Sequence, residues 1–341
     1  MELKGYHIDI EPALDRIKKK HARTILIQLP EGLKPYLDEI HDHVMDRIPD
    51  IQVLISADPC YGACDMPCAS RLDHLNVDTV IHIGHTPIPS MKITKGMDII
   101  FLNAYSSKPL SSIVTKALDA LIGKKIGIVT TAQHLHEILQ VKEILEQHGF
   151  TVFIGKGDRR VSSPGQILGC NFSSALEIQS QVDSYLYIGS GFFHPLGLSL
   201  STKKPVVIAD PYTDKVIQKE LEDIKDRVLR QRYGAITQAK MAKIFGILVG
   251  MKPGQQRIDL AFSIQKDIQD KGKKAYVLTV DHISPMILEN FPFIDCYVST
   301  LCPRVAIDDH LQYKQNIVTP IELDIALGKR SWDTYQFDEI Q

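Results

Sequence analysis

The sequence has almost no surplus of charge: 39 lysines and arginines stand against 41 aspartates and glutamates, a formal net charge of −2. That balance excludes the global basic field that draws proteins onto nucleic acid or anionic membranes, so no direct nucleic-acid partner is expected. A large acidic partner has to be met by a local patch. Long apolar runs are missing too. TILIQL from Thr24 and PVVIA from Pro205 fall far short of the roughly 20 residues needed to span a bilayer. The N-terminal stretch MELKGYHIDIEPALDRIKKKHAR is charged and amphipathic and lacks the apolar h-region of a signal peptide. A cytoplasmic protein without a membrane partner is therefore expected. Cysteine is scarce, six in 341 residues. In a reducing compartment these are thiols or metal ligands rather than disulfides, and an isolated one is most often a small buried apolar residue.

What is present is a repeat. Apolar runs of Val, Ile and Leu, ended by Gly, Pro, Asp or Thr, alternate with helical patterns, as in buried parallel strands joined by crossover helices. One segment type occurs three times: RTILIQLPEGL from Arg23, KKIGIVTTAQHL from Lys124 and KIFGILVGMKPGQ from Lys243. Each precedes an amphipathic helix (PYLDEIHDHVMDRI, HEILQVKEILEQHG, QRIDLAFSIQKDIQDKG) and then a second strand. Third strands recur as VDTVIHIGHTP, VDSYLYIGSGFFHP and FIDCYVSTLCPRV, and fourth strands as DIIFLNAYS, KPVVIADPY and NIVTPIEL. The expected fold is α/β: three related domains, each a short four-stranded parallel sheet flanked by helices, around a shared central site. The expected domains are 1–115, 116–220 and 221–341, the last with connecting helices and a C-terminal tail. The breaks fall near 108–122 and 212–242, and the second contains a polar stretch read as a solvated, connecting helix pair.

Functional groups in parallel sheets gather at the carboxyl ends of strands, where helix N-termini and free amides face a crevice. Cys64 falls in the loop after the second strand of the first domain, Cys170 in the corresponding long loop of the second, and Cys302 at the end of a third strand. One cysteine per domain can meet around a pseudo-threefold centre. Three thiolates suit a metal or an iron–sulfur cluster, and a [4Fe-4S] cluster on three cysteines keeps one iron open to a substrate. The rival is the local set Cys60, Cys64 and Cys68 in ADPCYGACDMPCAS, spaced one residue too long for the loop of ordinary radical S-adenosylmethionine enzymes. Pro59 and Pro67 restrict how that loop could wrap a cluster. Cys296, within FIDCYV, reads as a buried strand residue.

YGACD, GKGDRRVSSPGQILGCNF, GSGFFHPLGL from Gly189, DPYT from Asp210 and CPRVAIDD closely resemble the archaeal diphthamide biosynthesis enzymes, the 2-(3-amino-3-carboxypropyl)histidine synthases. PEGL at Pro30, GHTP at Gly84 and TTAQH at Thr130 agree. The resemblance runs from about Thr24 to YQFDEI. It implies a homodimer and one [4Fe-4S] cluster on Cys64, Cys170 and Cys302, the set the repeat also selects. It also implies noncanonical radical use of S-adenosyl-L-methionine as cosubstrate, with an electron donor still to be identified. The bond to the aminocarboxypropyl chain would break and 5′-methylthioadenosine leave. The fragment would join the imidazole C2 of a histidine on translation elongation factor 2, the first step of diphthamide formation.

No catalytic residue is assigned beyond the cluster, because no general base is evident. For the cosubstrate pocket, Gly189 and Gly191 permit close backbone approach, Ser190 and the Gly191 amide could bind a carboxylate or ribose, and Gln133 and His194 could donate hydrogen bonds. Strand-end turn residues and satisfied buried polar groups are the plainer readings of these five. Lys156, Arg159 and Arg160 read as carboxylate or partner contacts, or as a solvated basic turn; His82 and His85 read as pocket lining rather than ligands. Two other classes stay open: a three-domain [4Fe-4S] dehydratase of the quinolinate synthase type, and a structural zinc protein closed by Cys60, Cys64, Cys68 and a histidine.

Overall fold

The computed structural model describes residues 1–67, 69–91 and 98–340. Three sheets carry the fold. The first contains Thr24–Gln28, Gln52–Ile55, Thr79–Ile83 and Asp98–Leu102, and the third contains Ile244–Gly250, Lys274–Val280, Cys296–Ser299 and Asn316–Val318. In both, the strands lie in the order second, first, third, fourth, all parallel. The middle sheet repeats that order with Lys125–Thr130, Thr151–Phe153, Ser184–Ile188 and Val206–Asp210, and adds an antiparallel edge strand, Lys215–Ile217. A small antiparallel ribbon of Glu2–Leu3, Tyr6–Ile8 and Ala104–Ser106, which the sequence pattern did not announce, borders the first unit.

Strands between two neighbours are buried on both faces, as Thr24–Gln28, Thr79–Ile83 and Ser184–Ile188 are throughout, which explains their unbroken apolar character. The edge strand Gln52–Ile55 is exposed at both ends and half-buried between them. The crossover helices bury one stripe each: Ile40 and Val44 in Leu37–Arg47, Ile138, Val141 and Leu145 in Ile138–Gln147, and Ala261, Ile264 and Ile268 in Ile258–Asp270.

One device recurs in all three units. An aspartate just before the third strand accepts hydrogen bonds from two successive amides at the start of the first: Asp78 from Arg23 (2.7 Å) and Thr24 (2.9 Å), Asp183 from Lys124 and Lys125 (2.9 Å each), Asp295 from Lys243 (2.8 Å) and Ile244 (2.9 Å). Each ties together the two strands between which the sheet order reverses, and the crevice at their carboxyl ends is where ligands bind in such sheets.

The polar connector is not a helix pair. After the edge strand it forms one helix of 23 residues, Lys219–Met241, whose Leu221, Val228, Arg232, Ile236 and Ala239 are buried. These recur at intervals of three, four and seven along a proline-free segment, and one interior glycine, Gly234, costs only about 1 kcal/mol. The helix is therefore only partly solvated. It begins at the expected 220/221 boundary, and Ser111–Ala117 spans the expected 115/116 boundary while packing Ile113, Val114 and Ala117 with Ile126 and Ile128 of the middle sheet. Among the described residues no helix is long and apolar enough to cross a membrane.

Candidate metal centre

The loop carrying Cys64 is held by Asp65. Its carboxylate accepts from the amides of Tyr61 (2.7 Å) and Gly62 (3.0 Å) and pairs with Lys252 of the third unit at 2.6 Å. Its carbonyl accepts from Gln28 Nε2 at 2.7 Å, which ties the loop to the first strand. Gly254, also from the third unit, packs directly on Cys64: a Cβ there would stand 2.5 Å from Cys64 Cα and Cβ, so the close approach requires glycine. Gln255 Nε2 donates to Cys64 Sγ at 3.4 Å.

Cys170 lies in a tight turn closed by the Leu168 amide on the Asn171 carbonyl (2.9 Å), and its own carbonyl accepts from Ile340 of the C-terminal tail at 2.8 Å. Cys302 follows the third strand of the third sheet and precedes Pro303, the N-cap of the short helix Arg304–Ile307, with its carbonyl accepting from the Val305 amide at 3.1 Å. Arg304 places its guanidinium over the rings of Tyr61 (5.7 Å) and Phe193 (5.2 Å), so one side chain touches all three units beside this cysteine.

The three sulfurs share one electrostatic neighbourhood. Burial first, then the charge of Asp65 and the sulfurs of Cys170 and Cys302, push the Cys64 thiol well above its ordinary range. Burial followed by Cys170 pushes Cys302 up to about 12, and burial raises Cys170 against the opposing pull of Arg160. Arg160 is 5% exposed, so it is no solvated turn residue, unlike the exposed Lys156 and Arg159. Its Nη2 lies 3.9 Å from Cys170 Sγ and donates to the Gly254 carbonyl at 3.4 Å, while its Nε has no partner.

This donor set fits an iron–sulfur cluster. It offers three soft sulfurs from three loops, N–H donors aimed at two of them and a buried cation to balance anionic thiolates. Sequence reasoning singled out the three cysteines but not Gly254, Gln255 and Lys252, which lie in the MKPGQ loop that the repeat had already marked. The local alternative is divided by the structure: Cys60 turns to His82 and His85, with ligand atoms all within 4.8 Å of one another, and Cys68 lies outside the described residues. Cys296 is fully buried in its strand, as expected.

A cavity of about 300 Å³ opens at the switch point of the middle sheet, and Gln133, Gly189, Ser190 and His194 line it together. Gly191 is the next residue of the turn, at φ +79°. Tyr6, Thr131, His134, Tyr187 and Tyr212 complete the wall and were not singled out from sequence. Gln133 reaches the Gly84 carbonyl of the first unit at 3.4 Å, and Ser190 donates to Asp210 at 2.9 Å. His194, beside the Phe193 ring that packs on Gly169, is pushed down to about 4 by burial and then by Arg304, so it is a neutral imidazole. Buried His134 has a partner on neither ring nitrogen.

The family model for diphthamide synthesis proteins matches residues 29–337. The chain belongs to the diphthamide synthesis protein family. Among its relatives in that family is the 2-(3-amino-3-carboxypropyl)histidine synthase of Pyrococcus horikoshii, 37% identical over 96% of this chain and 92% of that protein. The namesake of Methanocaldococcus jannaschii is 28% identical over 98% and 94% of the two chains. A crystal structure of the family member Dph2 from Pyrococcus horikoshii with a 4Fe-4S cluster superposes with a TM-score of 0.88 at 36% identity, covering 98% of this chain and 94% of that one.

Proposed function

We propose that this chain is a 2-(3-amino-3-carboxypropyl)histidine synthase, in which Cys64, Cys170 and Cys302 hold one [4Fe-4S] cluster. It transfers the 3-amino-3-carboxypropyl group of S-adenosyl-L-methionine to the imidazole C2 of a histidine on translation elongation factor 2, releasing 5′-methylthioadenosine. The observation that carries this reading is the meeting of one cysteine from each of three sheets, within a family whose named members are such synthases. When bound, a cluster on three thiolates supplies an electron and one open iron position.

The chain's own residues do the rest. The cavity beside Phe193 takes the cosubstrate. Neutral His194 and Gln133 offer hydrogen bonds without a fixed charge, and the unpartnered nitrogens of His134 favour a polar ligand group over an apolar one. Gly189, Ser190 and Gly191 present backbone and hydroxyl to a carboxylate or ribose at the carboxyl end of the strand Ser184–Ile188. Holding the sulfonium in one orientation decides which of its carbon–sulfur bonds is nearest the metal, so product identity is set by positioning. Arg160 balances charge at the cysteines.

The same reading includes a homodimer, an external one-electron donor, a cytoplasmic location, and domains divided near 115/116 and 220/221. Anaerobically prepared, dithionite-reduced protein incubated with S-adenosyl-L-methionine and elongation factor 2 tests it. The expected products are 5′-methylthioadenosine by chromatography and a histidine heavier by one aminocarboxypropyl group by mass spectrometry. Release of 5′-deoxyadenosine, or no cleavage at all, would reject the reading.

A further inference from the structure

Cys60, His82 and His85 play no part in the three-cysteine centre, yet their ligand atoms all lie within 4.8 Å of one another. Three local features assemble them. His82 is a fully buried residue of the strand Thr79–Ile83. The chain then turns at Gly84, whose φ of +90° and contact with Pro30, 2.9 Å from where a Cβ would be, admit no side chain. That turn brings His85 back beside His82, with Nε2 and Nδ1 2.9 Å apart. Cys60, 1% exposed, enters from the preceding loop with its sulfur 4.0 Å from His85 Nδ1.

An independent feature fixes the direction of one ligand. Gln28 Nε2 donates to the Asp65 carbonyl at 2.7 Å, so its Oε1 faces His82 Nδ1 at 2.9 Å and must accept from it. His82 therefore carries its proton on Nδ1, and its Nε2 lone pair faces His85 Nδ1, with Cys60 Sγ within 4.8 Å. An acceptor on the ring nitrogen facing away from the ion is the usual orienting device of a metal-bound histidine. The separations also suit one ion. With metal–nitrogen bonds of about 2.0 Å and a metal–sulfur bond of about 2.3 Å, tetrahedral donors stand roughly 3.3 Å (nitrogen–nitrogen) and 3.6 Å (sulfur–nitrogen) apart. The observed 2.9 and 4.0 Å need shifts of a few tenths of an ångström, and the third pair, Cys60 Sγ and His82 Nε2, lies within 4.8 Å and closes by at most about 1.2 Å.

We propose that Cys60, His82 and His85 form a second metal site, distinct from the three-cysteine centre, that binds one zinc-like divalent ion with two nitrogens, one sulfur and an open fourth position. Binding releases the Cys60 thiol proton, and His85 carries its single ring proton on Nε2 instead of Nδ1, so that both ligating imidazoles stay neutral. The ion joins the loop that carries Cys64 to the third strand of the first sheet. It thereby stiffens the loop that carries Cys64.

The test uses protein with its cluster in place, dialysed against zinc chloride, freed of excess zinc and analysed for iron and zinc. One zinc per chain is expected on top of the iron. X-ray absorption at the zinc edge should show one sulfur and two imidazole nitrogens in the first shell. Cys60→Ser and His85→Asn, made separately, should each lower zinc affinity at least tenfold while iron content is retained. His85 is only half-buried, so its variant keeps the test decisive even where Cys60→Ser folds poorly. The proposal is overturned by wild-type protein that retains no zinc, by zinc held equally well in both variants, or by a sulfur-only first shell.

Discussion

At the residue scale, Arg160 is the side chain whose role changes most between sequence and structure. In GKGDRRV it is one of three basic positions within five residues, with nothing to separate it from a solvated turn. In the fold its guanidinium is buried beside Cys170, close enough to act on a charge held there. A nearby cation stabilises the more negative, reduced state of an iron–sulfur centre. Arg160→Met should therefore leave three thiols to hold iron but move the centre's midpoint potential to more negative values, as read by an anaerobic redox titration followed by electron paramagnetic resonance. An unchanged potential would confine Arg160 to packing. The cysteines themselves were legible because the repeat placed one at each carboxyl edge. Arg160 was not, because burial of a charged residue in a loop leaves no periodic trace.

At the scale of elements, the long helix Lys219–Met241 is joined to the third unit by one buried ion pair. Arg232 Nε and Nη2 donate to the two Glu322 oxygens at 2.7 and 2.6 Å, and its remaining donors reach the carbonyls of Ala306 (2.6 Å) and Ile317 (2.7 Å). Glu322 also caps its own helix, accepting from the Thr319 amide at 2.8 Å. Ala306 belongs to the short helix Arg304–Ile307 that follows Cys302, so the pair also holds the backbone next to that cysteine. Glu322→Ala leaves a buried guanidinium without its counter-charge and should destabilise the chain by about 3–5 kcal/mol in urea unfolding. The double change Arg232→Met with Glu322→Leu should cost much less. Equal losses in the two proteins would mean that packing, not charge, holds the helix. Sequence pattern showed the helical period here; the partner 90 residues away was invisible to it.

At the scale of the whole molecule, the second and third units share an apolar core that runs from Phe172 and Leu196 through Leu248 and Val305 to Phe337. The first unit has a separate core. It meets the others through Lys252–Asp65, Gln255–Cys64, Gln133–Gly84 and the ring contact of Tyr105 with His136. The C-terminal tail crosses the shared core: Phe337 lies edge-on to Phe172, Arg257 pairs with Asp338 at 2.8 Å, and Glu339 accepts from the Phe172 amide at 2.8 Å. Deleting residues 335–341 removes buried Tyr335, Phe337 and Ile340 along with the bond to the Cys170 carbonyl. At about 1.5–3 kcal/mol for each large buried side chain, the truncated chain should lose at least about 3 kcal/mol of stability. It should also retain less iron after anaerobic reconstitution. Full stability and full iron content would make the tail dispensable.

Three repeats of one strand order, and the three edge cysteines, were determined by the sequence itself, because strand burial imposes an apolar run and a crossover helix imposes its stripe wherever they occur. Only the tertiary structure decided which thiols meet. Sheet order and inter-unit packing bring Cys64, Cys170 and Cys302 into one neighbourhood and turn Cys60 away toward two histidines. The physical reason is one of range. Pattern records what each residue needs from its own element, whereas a shared site depends on distances between loops that no local pattern carries.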